Sequence, residues 1–152
     1  MRTPGAILAV LFASVGWCAG TPQSREPIKP ELGGVALGDI RGAVEKRLGK
    51  PRRVTSTGDA LTPELRFPGI TVWLWKGGGV AQIRSTSPRY CARSPVCPGA
   101  SASAAATALG PPQEGPRIRE GVNSYTVAAE ACWLEVLVGK AVVTSLELKC
   151  QP

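Results

Sequence analysis

The sequence predicts an α+β fold: two tandem repeats, each one helix followed by a three- to four-stranded antiparallel sheet, stabilised by disulfides. Three observations carry this reading. A frame recurs, because Gly38, Leu48, Gly49 and Pro51 return as Gly99, Leu109, Gly110 and Pro112, an offset of 61 residues (99 minus 38), and Ala43 coincides with Ala104. Apolar spacing switches from a helical to an alternating period after each Leu-Gly. Four cysteines, Cys91, Cys97, Cys132 and Cys150, follow an export-like start, and an even set in an exported chain reads as a disulfide framework.

The chain opens with an address. Arg2 gives a positive start, Ala6 to Val15 form an apolar run, and Cys18-Ala19-Gly20 supply small residues. The run is shorter than the roughly 20 residues of a membrane span. Residues 1–20 therefore read as a signal peptide cleaved after Gly20. The alternative makes Cys18 the lipidated residue of an outer-membrane lipoprotein. Residues 21–34 are rich in Pro, Gly and polar side chains and read as a flexible linker.

Repeat 1 spans 35–90. Ile40, Val44 and Leu48 share one helical face with Ala43 beside them; Asp39 suits the N-cap, and Gly49 with Pro51 stops the helix. Strands follow near 52–57, 64–67, 71–75 and 80–86. In the third, Val72 and Leu74 alternate with Trp73 and Trp75, giving one aliphatic and one aromatic face. Residues 91–98 form a connector that Cys91 and Cys97 can staple. Repeat 2 spans 99–152. Its helix, near 101–109, consists of small residues with Ser101 as cap, and its strands lie near 124–128, 132–138 and 141–149. Pairing Cys91 with Cys97 leaves Cys132 with Cys150 across a hairpin. A two-residue turn at Gly139-Lys140 would place residue 147 opposite Cys132, so this bridge requires a bulge or a wider turn.

The phrase Val35-Ala-Leu-Gly-Asp-Ile-Arg, with Val44, Leu48, Gly49 and Pro51 after it, resembles the opening of the SmpA/OmlA (BamE-like) group of small outer-membrane proteins. Gly79-Val80-Ala-Gln-Ile83 resembles the end of that unit, and the second copy offers Leu109-Gly110-Pro111-Pro112 and Val143 to Leu146. Two such units resemble the β-lactamase-inhibitor-protein-like architecture, which implies a concave sheet that binds protein. The resemblance covers about residues 35–150 and implies no functional residue.

Composition excludes much chemistry. The 152 residues contain no histidine, which removes histidine-based triads, His-ligated zinc and a histidine pH switch. The cysteine spacing lacks close C-x2-C pairs, and no cofactor is expected. The chain carries 18 Lys and Arg against 11 Asp and Glu, a net +7, concentrated before residue 99. Lys46, Arg47, Lys50, Arg52 and Arg53 cluster at the end of the first helix. They read either as helix-end capping charges or as a site for anionic lipid or cell-wall polymer. Trp73, Trp75 and Arg66 form a candidate partner-binding surface, or else the tryptophans cover the helix side of the sheet. Glu130 and Glu135 flank Trp133, with Glu135 on a wet face. The functional expectation is an exported, non-catalytic bacterial envelope protein, periplasmic or secreted, that binds another protein through its sheet and binds no nucleic acid. A carboxylate-based hydrolase is the contrasting class, and it requires two acids roughly 5–9 Å apart in a cleft.

Overall fold

Strand alternation governs how this chain buries its apolar residues. The computed structural model describes residues 26–56, 58–93, 95–113 and 119–151; the expected signal and Cys18 lie outside them. A short hairpin of β1 (Glu31–Leu32) and β2 (Val35–Ala36) precedes α1 (Arg41–Leu48). Then come β3 (Arg53–Thr55), β4 (Leu61–Phe67), β5 (Ile70–Trp75) and β6 (Val80–Ser85). The chain continues through α2 (Ala102–Leu109) to β7 (Val122–Thr126), β8 (Cys132–Gly139) and β9 (Val142–Cys150).

Strands β3 to β9 form one antiparallel sheet of seven strands, in the order β3-β4-β5-β6-β9-β8-β7. This corrects the expectation of two tandem helix-plus-sheet repeats. The described residues are mostly sheet, with two short helices, and their long strands join in one sheet instead of forming two separate ones. Its middle is a seam at which β6 pairs with β9: Gln82 opposes Lys149, Ile83 opposes Leu148, Arg84 opposes Glu147, and Ser85 opposes Leu146. The physical reason is the cost of edges and of small cores. A three- or four-stranded sheet under one eight-residue helix leaves two unpaired edges and little buried area. Pairing β6 with β9 removes an edge from each half and makes one continuous core.

That core lies on one face of the sheet. Leu65, Phe67, Ile70, Val72, Leu74, Ile83, Leu134, Val136, Leu146 and Leu148 are buried there. Val44 of α1, Ala105 and Leu109 of α2, and Leu32 and Val35 of the hairpin pack into the same cluster. Ile28 and Leu32, which fall in the stretch read as linker, are buried in it too.

The helix ends follow the sequence signals unevenly. Both helices stop at a glycine in the left-handed region, Gly49 at φ 83° and Gly110 at φ 85°. The Ser101 hydroxyl accepts the Ala104 amide at 3.2 Å, as an N-cap does. Asp39 does not cap α1. Ile40 occupies the N-cap position, without a side-chain cap, and is exposed. The Asp39 carboxylate instead accepts the Ala36 amide at 2.9 Å. Ile40 forms a bridge with Gly79, which takes it off the buried face of the helix.

Both disulfides form, Cys91–Cys97 and Cys132–Cys150. Cys132 lies directly opposite Cys150, with Cα atoms 3.9 Å apart. Two features set that register. The β8–β9 turn is Lys140-Ala141 rather than Gly139-Lys140, since Gly139 opposes Val142, and a register shift follows between Leu137 and Val138. Lys140 and Ala141 adopt φ 52° and 61°, as a type I′ turn demands, without the Asn and Gly that fit it. Ala141→Gly is therefore expected to stabilise the fold by about 1 kcal/mol, because alanine pays a steric cost in the left-handed region. A rise in the urea midpoint would show it.

Candidate functional site: the uncovered face of the sheet

The alternation that buries Val72 and Leu74 turns Trp73 and Trp75 to the opposite face. The two helices and the hairpin pack on the first face, so the tryptophans do not line the helix side of the sheet. Cross-strand register assembles two rows on the uncovered face. One runs Arg53, Arg66, Thr71, Arg84, Glu147, Glu135, Ser124. The next runs Thr55, Glu64, Trp73, Gln82, Lys149, Trp133, Thr126.

Side-chain contacts tie the two rows to each other. The Trp73 indole N–H donates to Glu64 Oε2 at 3.2 Å, and Arg66 pairs with the other oxygen of Glu64. The Trp133 indole N–H donates to Glu135 Oε1 at 3.0 Å. Lys149 Nζ reaches Glu135 at 2.9 Å and Glu147 at 3.2 Å, and stands 5.8 Å from the Trp133 ring centre. Arg119 reaches Glu135 at 3.1 Å and Arg84 reaches Glu147 at 3.3 Å. The predicted set Trp73, Trp75 and Arg66 is thus part of a wider surface.

Sequence reasoning put Glu135 on a wet face and missed the roles of Arg84, Arg119 and Lys149. The structure buries the Glu135 side chain to 4% exposure, because Trp133, Lys149 and Arg119 crowd over it. The signal was available in principle. A Cys132–Cys150 pair places Trp133 opposite Lys149 and Glu135 opposite Glu147 two residues further along.

Burial alone would raise the Glu135 carboxyl, but the Trp133 N–H, the Lys149 hydrogen bond and the charges of Lys149 and Arg119 outweigh it. The carboxyl is held below its ordinary value of 4.5. A group with a depressed folded value contributes stability above its unfolded value and loses it as the pH falls through the folded one. The wild type is therefore expected to outlast Glu135→Gln in urea at pH 6. The gap should shrink as the pH drops below about 4.5. A gap that stays constant with pH would contradict the ion cluster.

At the β3–β4 end of this face, Asp59, Ala60, Leu61, Glu64, Trp73, Trp75 and Cys150 line a cleft of about 450 Å³. Its walls are largely apolar. The cleft and the rows beside it offer stacking surfaces and guanidinium donors.

The five-residue basic cluster is divided. Arg47 is engaged with Asp39 at 3.2 Å and with the Gly34 carbonyl, tying α1 to the hairpin. Lys46, Lys50 and Arg52 are exposed at the end of α1 and the entry to β3. Only Arg53 lies in register with the uncovered face, opposite Arg66. Among the described residues no group of three or more His, Cys, Asp or Glu side chains is placed to hold a metal. No helix among them is long and apolar enough to cross a membrane.

No family model matches the chain, and no curated protein matches it. Among solved structures, it resembles an extracellular protein containing an SCP domain from Bacillus anthracis str. Ames, with a TM-score of 0.58 at 8% identity. That match covers 76% of this chain and 44% of the other, so the chain spans less than half of that protein. A DUF4309 family protein (YjgB) from Bacillus subtilis subsp. subtilis str. 168 aligns with a TM-score of 0.49 at 15% identity, over 78% of this chain and 83% of that one. The first likeness is one of fold. The SmpA/OmlA resemblance rests on its helix and strand motifs alone.

Proposed function

We propose that this chain is an exported, non-catalytic bacterial envelope protein that binds another protein through the uncovered face of its sheet. One observation carries the reading: Trp73, Trp75, Trp133 and the arginines beside them lie on the face that no helix among the described residues covers. Tryptophan and arginine dominate the energetics of protein interfaces, and a sheet face that lacks a covering layer suits docking. The apolar cleft at Trp73 and Trp75 suits an apolar anchor side chain of the partner.

Two formed disulfides agree with an oxidising compartment. The hydrolase reading fares poorly where acids come near each other: of the two acids lining the cleft, Asp59 and Glu64, the second is engaged by Trp73 and Arg66. Glu135 and Glu147 oppose each other across β8 and β9, but both are ion-paired to Lys149. Glu135, held below the usual carboxylate range, is a poor proton donor at neutral pH. The lipid or polymer reading of the helix-end cluster loses Arg47 to its contacts with Asp39 and Gly34.

The test is affinity capture from envelope extracts with the wild type and with Trp73→Ala/Trp75→Ala. The double variant is expected to lose at least about tenfold of the captured protein, in line with hot-spot truncations. Its circular dichroism should match the wild type, and Trp75→Ala alone serves as a milder second variant. Undiminished capture by both folded variants would remove this face from the reading.

A further inference from the structure

The ion pairs of the uncovered face share an asymmetry that decides what kind of partner fits. In each pair the carboxylate is sunk and the cation is more exposed. Arg66 is 53% exposed and its Glu64 14%. Arg84 is 45% exposed and its Glu147 12%. Arg119 is 65% exposed over Glu135 at 4%. A carboxylate beneath a guanidinium uses one or two of its five N–H donors and leaves the others directed at solvent. Along these pairs the face presents mainly positive charge, while the exposed carboxylate of Asp59 stands apart at the cleft.

A second observation is independent of burial. Arg53 and Arg66 stand directly opposite each other on β3 and β4, and like charges in that relation destabilise a sheet. Arg66 has Glu64, whereas Arg53 has no ion pair among the described residues. Three arginines thus fall in one row, on β3, β4 and β6, and an external anion would relieve the repulsion between the opposed Arg53 and Arg66.

We propose that the protein partner presents an acidic segment whose carboxylates lie along the row Arg53, Arg66 and Arg84. This rests on the sheet-face reading and gives that partner its chemistry. Guanidinium groups in a row match carboxylates through two-pronged hydrogen bonds. Trp73, in the neighbouring row, offers apolar contact to the same segment. Electrostatic complementarity of this kind fixes which partner docks and speeds its arrival.

The experiment uses the folded, disulfide-bonded chain and a fluorescent poly-L-glutamate probe, followed by anisotropy at low salt. The wild type is expected to bind, and to release the probe as salt is raised. Arg53→Gln/Arg66→Gln/Arg84→Gln should weaken binding at least tenfold. A charge-matched control, Lys46→Gln/Lys50→Gln/Arg52→Gln, should change it less than twofold. Arg53→Lys/Arg66→Lys/Arg84→Lys keeps the charge and guards against a folding artefact; it should bind between the two. Absence of probe binding, or equal loss in both glutamine variants, overturns the proposal. So does arginine-dependent binding to phosphatidylglycerol vesicles without binding to the peptide, which would identify a lipid ligand. Capture that depends on Trp73 and Trp75 but not on the arginines would remove the acidic segment and leave the sheet-face reading standing.

Discussion

Leu148→Ala is expected to cost about 3 kcal/mol of unfolding free energy, within the range for large-to-small changes in a packed core. Leu148 is 1% exposed and sits on β9 between Ile83 of β6 and Leu134 of β8. It is therefore in the middle of the seam that joins the two halves, with no surface toward which the neighbours can relax. The measurement is urea denaturation followed by far-ultraviolet circular dichroism and tryptophan fluorescence. Trp73 and Trp75 report on one half and Trp133 on the other. Both signals should move together to a lower midpoint, since a single core unfolds as a unit. A loss below about 1 kcal/mol would mean that the seam is loosely packed, because substitutions of that size are typical of surfaces.

Removing the Cys132–Cys150 bridge is the second large effect. The two residues are 18 apart in sequence, and the chain-entropy estimate for a loop of that length is about 3 kcal/mol. Cys132→Ser/Cys150→Ser should lower the urea midpoint accordingly. Cys91–Cys97, separated by 6 residues, closes a shorter loop and should contribute about 2 kcal/mol on the same estimate. The order is testable with the two double variants side by side. A larger loss from Cys91→Ser/Cys97→Ser would show that the staple organises the connector beyond closing it. In a wild-type chain held in reductant, both losses should appear together.

How much of this was readable beforehand depends on the range of each signal. The helix stops at Gly49 and Gly110 are local, since a glycine at positive φ after a short helix is a property of a few neighbours. The two faces of β5 are local as well, being an alternation of four residues from Val72 to Trp75. The disulfides followed from the number and spacing of cysteines.

The seam is a different kind of fact. Ile83 and Leu148 are far apart in the chain, and nothing near either residue specifies the other. Edge pairing is decided by the whole core and by the penalty on unpaired strands. The Lys140-Ala141 turn escaped because its residues contradict the usual chemistry of left-handed positions. Ile40 escaped because its helical spacing to Val44 and Leu48 was real, while the bridge to Gly79 decides where its side chain lies. For the candidate site, the tryptophans were visible from alternation. The sunken carboxylates were not, because the burial of Glu135 depends on side chains from three different strand or loop segments.

The sunken carboxylates and raised guanidinium groups also fix how the surface responds to its surroundings. Exposed guanidinium groups carry their charge into solvent, where dissolved ions screen it, whereas the buried carboxylates beneath them are screened less. The chain contains no histidine, so this surface has no imidazole switch near neutral pH. The electrostatic character of this surface is therefore expected to follow the ionic strength around it.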